Sequence, residues 1–261
     1  MPWSSLSIQF CLELAFGVLF AMAFVPRAPV GLLFYRLMGT SALALVLFGV
    51  GVPLATGTLV WSDPVVLCSA LPILGYPFFS GPVRGRRWAL ALGAGLVGSA
   101  AAVGLMVGRA HEVQNALGTA IATLSALATG AVAGSVGLAM VLGHWYLTVP
   151  NLQVHHLRRL NRVSVITMLA SFVLVGVSCL VFSEALNAVE HPLFGVTGLF
   201  YLGTRIVVGL FFPLAFAWMT AGSLKFENTR SATGILYAST VLVLIGTAAS
   251  VTLQDSYGVP L

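Results

Sequence analysis

Residues 231–253 read SATGILYASTVLVLIGTAASVTL, without a single Asp, Glu, Lys, Arg or His. Wound as an α-helix at about 1.5 Å per residue, this run is about 34 Å long. That is enough to cross the roughly 30 Å hydrocarbon core of a bilayer, which takes about 20 mostly apolar residues. Working outward, seven more stretches qualify, at about 6–25, 32–54, 59–80, 88–108, 117–147, 162–183 and 194–222. The whole chain of 261 residues is 59% hydrophobic and 7% charged, with a mean hydropathy of +1.01. Soluble domains carry about 25% charged residues, so too little polar surface exists here to face water on all sides. A water-soluble enzyme and a disordered tail are both excluded. The expected fold is an all-α polytopic membrane protein of about eight transmembrane helices. Eight spans of about 21 residues use roughly 168 residues and leave about 93. No connection can hold a folded extramembrane domain, so residues 1–261 form one membrane domain.

Orientation follows from the basic residues. The connections after spans 1, 3, 5 and 7 carry Arg27, the Arg84/Arg86/Arg87 group, the Arg158/Arg159/Arg162 group, and Lys225 with Arg230. The opposite side holds Arg109 with Asp63, Glu112, Glu184, Glu190 and Asp255. Lys and Arg concentrate in cytoplasmic loops. The four basic connections are therefore expected in the cytoplasm and both termini outside, in a bacterial cytoplasmic (inner) membrane. Trp3 and Trp61 fall at outer ends of spans and Trp88, Trp145 and Trp218 at inner ends, where interfacial aromatic residues belong. Met1 to Phe10 contains no Lys or Arg, so the first span reads as a helix and not as a cleaved signal peptide. Pro2 and the final Gly-Val-Pro-Leu match no lipidation motif.

The net charge of +5 thus reads as membrane orientation. Nucleic-acid binding would cluster basic residues with exposed aromatic residues or a known motif, and neither is present. The expected partners are membrane lipids and other membrane or peripheral subunits. Cys11, Cys68 and Cys179 each lie inside an apolar span without C-x-x-C spacing, as small buried hydrophobes do.

The chain reads as two tandem halves, 1–115 and 116–261. Val25-Pro26, Val30, Leu33 and Arg36-Leu37 are echoed by Val149-Pro150, Val154, Leu157 and Arg159-Leu160. Pro72 precedes Arg84, and Pro213 precedes Lys225, by the same interval. Four spans per half make this a parallel repeat. Proline inside a helix removes a backbone bond and kinks it, so Pro72 and Pro213 are hinge candidates. Span 3 also holds Pro64 and Pro77 and is expected to be the most irregular. Gly104/Gly108 and Gly130/Gly134 have the small-x-x-x-small spacing of helix-packing seams.

Two charges lie deep in spans, Glu13 and Arg205, at comparable depths of roughly 10–18 Å. An isolated charge there costs at least about 2.5–3.5 kcal/mol, so an intramembrane Glu13–Arg205 ion pair between spans 1 and 7 is expected. Arg36 is shallower and can snorkel. The densest polar cluster surrounds the fifth connection. There Asn151 is a suitable helix N-cap, and His155, Arg158, Arg159 and Arg162 fall on one helical face. Val154, Leu157 and Leu160 fall on another, giving a cytoplasmic basic face for anionic lipid or a partner.

Candidate ligands for a quinone or haem b are His144, Trp145, Tyr146, His155 and His156; His111 and His191 lie on the outer side. A bis-imidazole haem needs two His on facing helices at one depth, which only His144 clearly offers. No zinc or calcium spacing exists, and a protein-bound metal is not expected. No hydrolase, zincin, Walker or dinucleotide motif appears. Eight-helix membrane subunits of quinone-linked oxidoreductases share the helix count, but functions do not travel with folds. The expected function is a membrane subunit of a larger, quinone-linked redox complex, without its own soluble catalytic domain. The alternatives are a small transporter or channel using Glu13/Arg205, and a membrane enzyme acting on a lipid or quinone headgroup.

Overall fold

The computed structural model describes residues 3–25, 30–110, 116–149, 152–187, 192–259 and 261. Every regular element among them is helical: α1 (Trp3–Met22), α2 (Leu32–Ala55), α3 (Pro64–Phe79), α4 (Arg86–Ala110), α5 (Ala116–Thr148), α6 (His155–Val181), the short α7 (Ser183–Asn187), α8 (Val196–Gly203), a π segment (Thr204–Phe211), α9 (Phe212–Lys225) and α10 (Thr229–Tyr257). From α8 through α9 the chain is one helix, Val196–Lys225. Six helices are long and apolar enough to cross a membrane: α2, α4, α5, α6, α8 to α9, and α10. The apolar stretches Leu6–Met22 of α1 and Pro64–Phe79 are shorter.

Local chemistry sets the helix ends. Asp63 caps α3, its Oδ1 accepting from Val65 N at 2.8 Å, and Pro64 follows at the first position, where its missing N–H is harmless. Asn228 caps α10 through Ser231 N at 3.1 Å. At the far end of α10, Gly258 takes the left-handed conformation with φ 69°, which a β-carbon would oppose. The turn brings Val259 and Leu261 back into the interior, at 2% and 0% exposure.

The helices form two groups with the same neighbour pattern. In the first, α1 packs on α2 and α4, and α3 on α2 and α4. In the second, α5 packs on α6 and α10, and α9 on α6 and α10. The groups meet where α1 crosses α5, flanked by α4 on α5 and α10 on α1. Small residues make that crossing close. A Cβ on Gly17 would stand 1.8 Å from the Gly130 carbonyl oxygen, and one on Gly134 would stand 1.9 Å from the Gly17 carbonyl carbon. The Gly130/Gly134 seam is therefore internal. Gly104 and Gly108 also face α5, at Thr123 and Thr119.

A single apolar cluster joins Met22, Val30, Phe79, Trp88, Leu157 and Leu224. It gathers the α1–α2, α3–α4, α5–α6 and α9–α10 ends at one end of the bundle, and with them the basic residues of the last three of these connections; Arg27 lies outside the described residues. At the opposite end Arg109 grips Asp63 through two hydrogen bonds of 2.9 and 2.7 Å, clamping α4 to the start of α3. That guanidinium, helped by the Val65 N–H, holds the Asp63 carboxyl below its ordinary value. A carboxyl depressed on folding stabilises above its unfolded value, about 3.9 for Asp, and loses that contribution as pH falls through the folded value. Asp63→Asn keeps the cap but removes this dependence. Acid melts in detergent should show the wild type losing an increment of stability below about pH 4, with the variant flat across that window.

α3 is not the irregular helix that its prolines suggest. Pro72 and Pro77 lie within a continuous α3, where Pro72 packs against Gly95 of α4. The irregularity lies in the helix Val196–Lys225, as the π segment just before Pro213.

Candidate functional site

Two sets of buried polar side chains occupy the interior on either side of α5. Glu13 is 1% exposed, with Gln9 one turn earlier on the same face of α1 at 3%. Gln9 Nε2 donates to Glu13 Oε1 at 2.7 Å. Gln9 also exchanges a reciprocal amide pair with Gln254 of α10, whose Nε2 donates to Gln9 Oε1 at 2.7 Å. Both Gln9 amide hydrogens are thereby used, and Glu13 Oε2 is left buried without a hydrogen-bond partner.

Arg205 is 0% exposed and stands in the π segment. Its Nη2 donates to Thr129 Oγ1 of α5 and Ser171 Oγ of α6, both at 2.7 Å, and its Nε donates to the Leu261 carbonyl at 3.2 Å. Thr129 passes its own hydrogen to the Ser125 carbonyl at 3.0 Å. Arg205 Nη1 is buried without a partner. The wide turn has a visible cause in sequence: Pro213 lacks the N–H that an α-helix would bring to the Gly209 carbonyl. Phe212 N donates five residues back, to Val207. Gly209 also presses on Gly246 of α10, so closely that a Cβ would lie 2.6 Å from the Gly246 Cα.

The expected direct ion pair is therefore corrected. Among the described residues no Glu13–Arg205 contact falls within 4.0 Å. Both groups adjoin the same part of α5, with Gly130 against the Glu13 main chain and Thr129 on Arg205. Those two α5 residues are consecutive, so Glu13 and Arg205 stand at about the same level of the bundle. α1 reaches the second group chiefly through α5 and α10. The sequence offered a signal for Gln9, which stands four residues from Glu13. It offered none for Thr129 or Ser171, which resemble any other buried hydroxyl.

The proposed quinone or haem cluster does not converge. Successive residues of a helix diverge by about 100°, and His144, Trp145 and Tyr146 follow that divergence. His144 is exposed, its Nδ1 3.0 Å from Tyr237 Oη of α10. Trp145 Nε1 donates to the Val30 carbonyl at 2.8 Å, and Tyr146 Oη donates to the Gln153 carbonyl. The rings of His155 and His156 lie 3.8 Å apart between centres, tilted by 44°, and neither shares a ring contact with His144, whose ring meets Tyr237. Among the described residues no three His, Cys, Asp or Glu side chains meet at one point. His111, His191 and Asn151 lie outside the described residues; α6 begins at His155, behind Val154. Arg158, Arg159 and Arg162 are exposed while Leu157 and Leu160 are buried. Arg159 sits over the Phe24 ring at 5.8 Å.

No family model matches the chain, and no curated protein or solved structure is significantly similar to it.

Proposed function

We propose that the chain is an eight-span membrane transport protein in which Glu13 and Arg205 form a central site for a proton or small ion. The observation that carries this reading is the pair of unsatisfied atoms, Glu13 Oε2 and Arg205 Nη1, buried at one level inside the bundle. Intramembrane charges mark ion pathways and proton relays by default. π segments recur at functional positions, and interrupted helices hold the substrate in many transporters. Further support comes from Ser164, Thr167, Ser171 and Ser178, all buried on one side of α6. This polar line runs about 21 Å along the helix axis and includes the Arg205 partner.

In this reading α1 and α3 also cross the bilayer. The 16 residues of α3 rise only about 24 Å, a mismatch that tilt of neighbours and local thinning accommodate. The matched neighbour pattern of the two helix groups supports a tandem duplication. The common position of the basic connections supports a cytoplasmic face there and both termini outside, in an inner membrane. Arg87→Cys should react with an impermeant maleimide only from the cytoplasm and Ser256→Cys only from outside; the reverse labelling would overturn this orientation.

The functional test uses liposomes loaded with a pH-sensitive dye. Under an imposed potential the wild type should acidify or alkalinise the lumen, and Glu13→Gln should remove the flux while the protein still inserts and elutes as one species. Flux unchanged in Glu13→Gln would sink the reading. The hydrogen-bonded His144–Tyr237 pair favours a second one. Both residues are exposed on the outside of the bundle, as the membrane subunit of a quinone-linked complex would present them. That reading requires a bound quinone, a haem absorption band or co-purifying chains after gentle extraction.

A further inference from the structure

Between the start of α6 and the end of α9 runs an open groove that the Glu13–Arg205 site does not use. Its mouth, about 450 Å³, carries three cations, Arg158, Arg162 and Lys225. Sharing Asn161, Arg162 and Ala221, the groove continues into a stretch of about 540 Å³ walled by Val165, Leu214 and Trp218. No acidic side chain lines either part. Glu227 follows Lys225 by two residues but is exposed and outside the lining.

The polar atoms here are prepared for a ligand. Arg158 donates through Nε and Nη2 to the Leu224 carbonyl at 3.3 and 2.7 Å, which fixes the guanidinium and leaves its Nη1 unspent. Arg162 and Lys225 have no hydrogen-bond partner among the described residues. Asn161 is 3% exposed. Its Nδ2 donates to the Ala217 carbonyl at 2.9 Å, so its orientation is set, and the buried Oδ1 is an acceptor without a donor.

We propose that this groove binds an anionic phospholipid whose headgroup carries hydroxyls, of the phosphatidylglycerol kind. Unpaired cations at a membrane interface take a phosphate through charge-assisted hydrogen bonds. The orphan Asn161 acceptor calls for a hydroxyl donor next to that phosphate. The apolar stretch, with an indole that is 79% exposed at Trp218, takes an acyl chain. A free phosphate would leave that stretch unfilled, so the ligand is a lipid.

The test is retention of added lipid by the full chain in neutral detergent, read by native mass spectrometry and by thermal melts. Phosphatidylglycerol should be retained and raise the melting temperature, and phosphatidylcholine should do neither. Arg162→Ala/Lys225→Ala, and separately Ala221→Trp, should each weaken retention by about tenfold or more. Arg36→Ala/Arg87→Ala removes the same charge at exposed positions outside the groove and should leave retention unchanged. Equal retention of the two lipids, an equal shift from inorganic phosphate alone, or equal loss in the control pair would each overturn the proposal. Phosphatidic acid binding as tightly as phosphatidylglycerol would remove the hydroxyl donor from it.

Discussion

Gly134→Val is expected to abolish the folded bundle. The Cβ it introduces would stand 1.9 Å from the carbonyl carbon of Gly17 and 2.1 Å from its oxygen. Both are backbone atoms, so no rotamer change can relieve the clash and the axes of α1 and α5 must part. Overpacking that side chains can absorb costs about 1–3 kcal/mol; here the whole crossing between the two helix groups is lost with it. Gly137, one turn further along α5, has nothing within 4 Å of its Cβ position. Gly137→Ala should be neutral or stabilising by up to about 1 kcal/mol, the helix-propensity gain over glycine. Expression in membranes and gel filtration in detergent distinguish the two. A monodisperse Gly134→Val protein with wild-type melting would show that α1 and α5 do not cross here.

The second large effect belongs to Arg205. Arg205→Met strips the donors from Thr129, Ser171 and the Leu261 carbonyl and removes the cation nearest to buried Glu13. Taking one partner from a buried charge system costs roughly 3–5 kcal/mol. Adding Glu13→Gln in the same chain should return part of that loss, because no buried carboxylate is then left without its cation. Coupling between neighbouring sites amounts to about 0.5–3 kcal/mol in such cycles. The four melting curves therefore test whether the two charges sense each other inside the bundle. Strict additivity would leave Arg205 as a packing residue for α5 and α6, and the central ion site would fall.

Much of the fold was legible because a bilayer imposes its demands locally. Each span must be long and apolar by itself, and helices such as 32–55 and 229–257 lie within a few residues of the stretches read from composition. The depth of Glu13 and Arg205 was readable for the same reason, as a count of residues from a span end. Partner identity was not. Glu13 was assigned to Arg205 because they were the two deep charges, yet Gln9 and Gln254 take its hydrogen bond and the adjoining amide. Gln254 is 245 residues from Gln9 in sequence, and no local pattern reports that distance closing. His144 parts from its sequence neighbours for the opposite reason. Proximity in sequence suggested convergence, and the helical twist at His144, Trp145 and Tyr146 turned neighbours toward three different elements.

Composition and charge placement, then, determined an all-helical membrane chain, a basic end, and the residues that need partners inside it. These follow from hydrophobic transfer and loop charge, which act on each segment separately. Only the packed structure decided that α1 crosses α5 at glycines, that the helix Val196–Lys225 rather than α3 carries the break, and that Glu13 and Arg205 bond to other partners instead of to each other. Those outcomes depend on how closely two helix axes can approach, and that distance is set by small residues brought together from different parts of the chain.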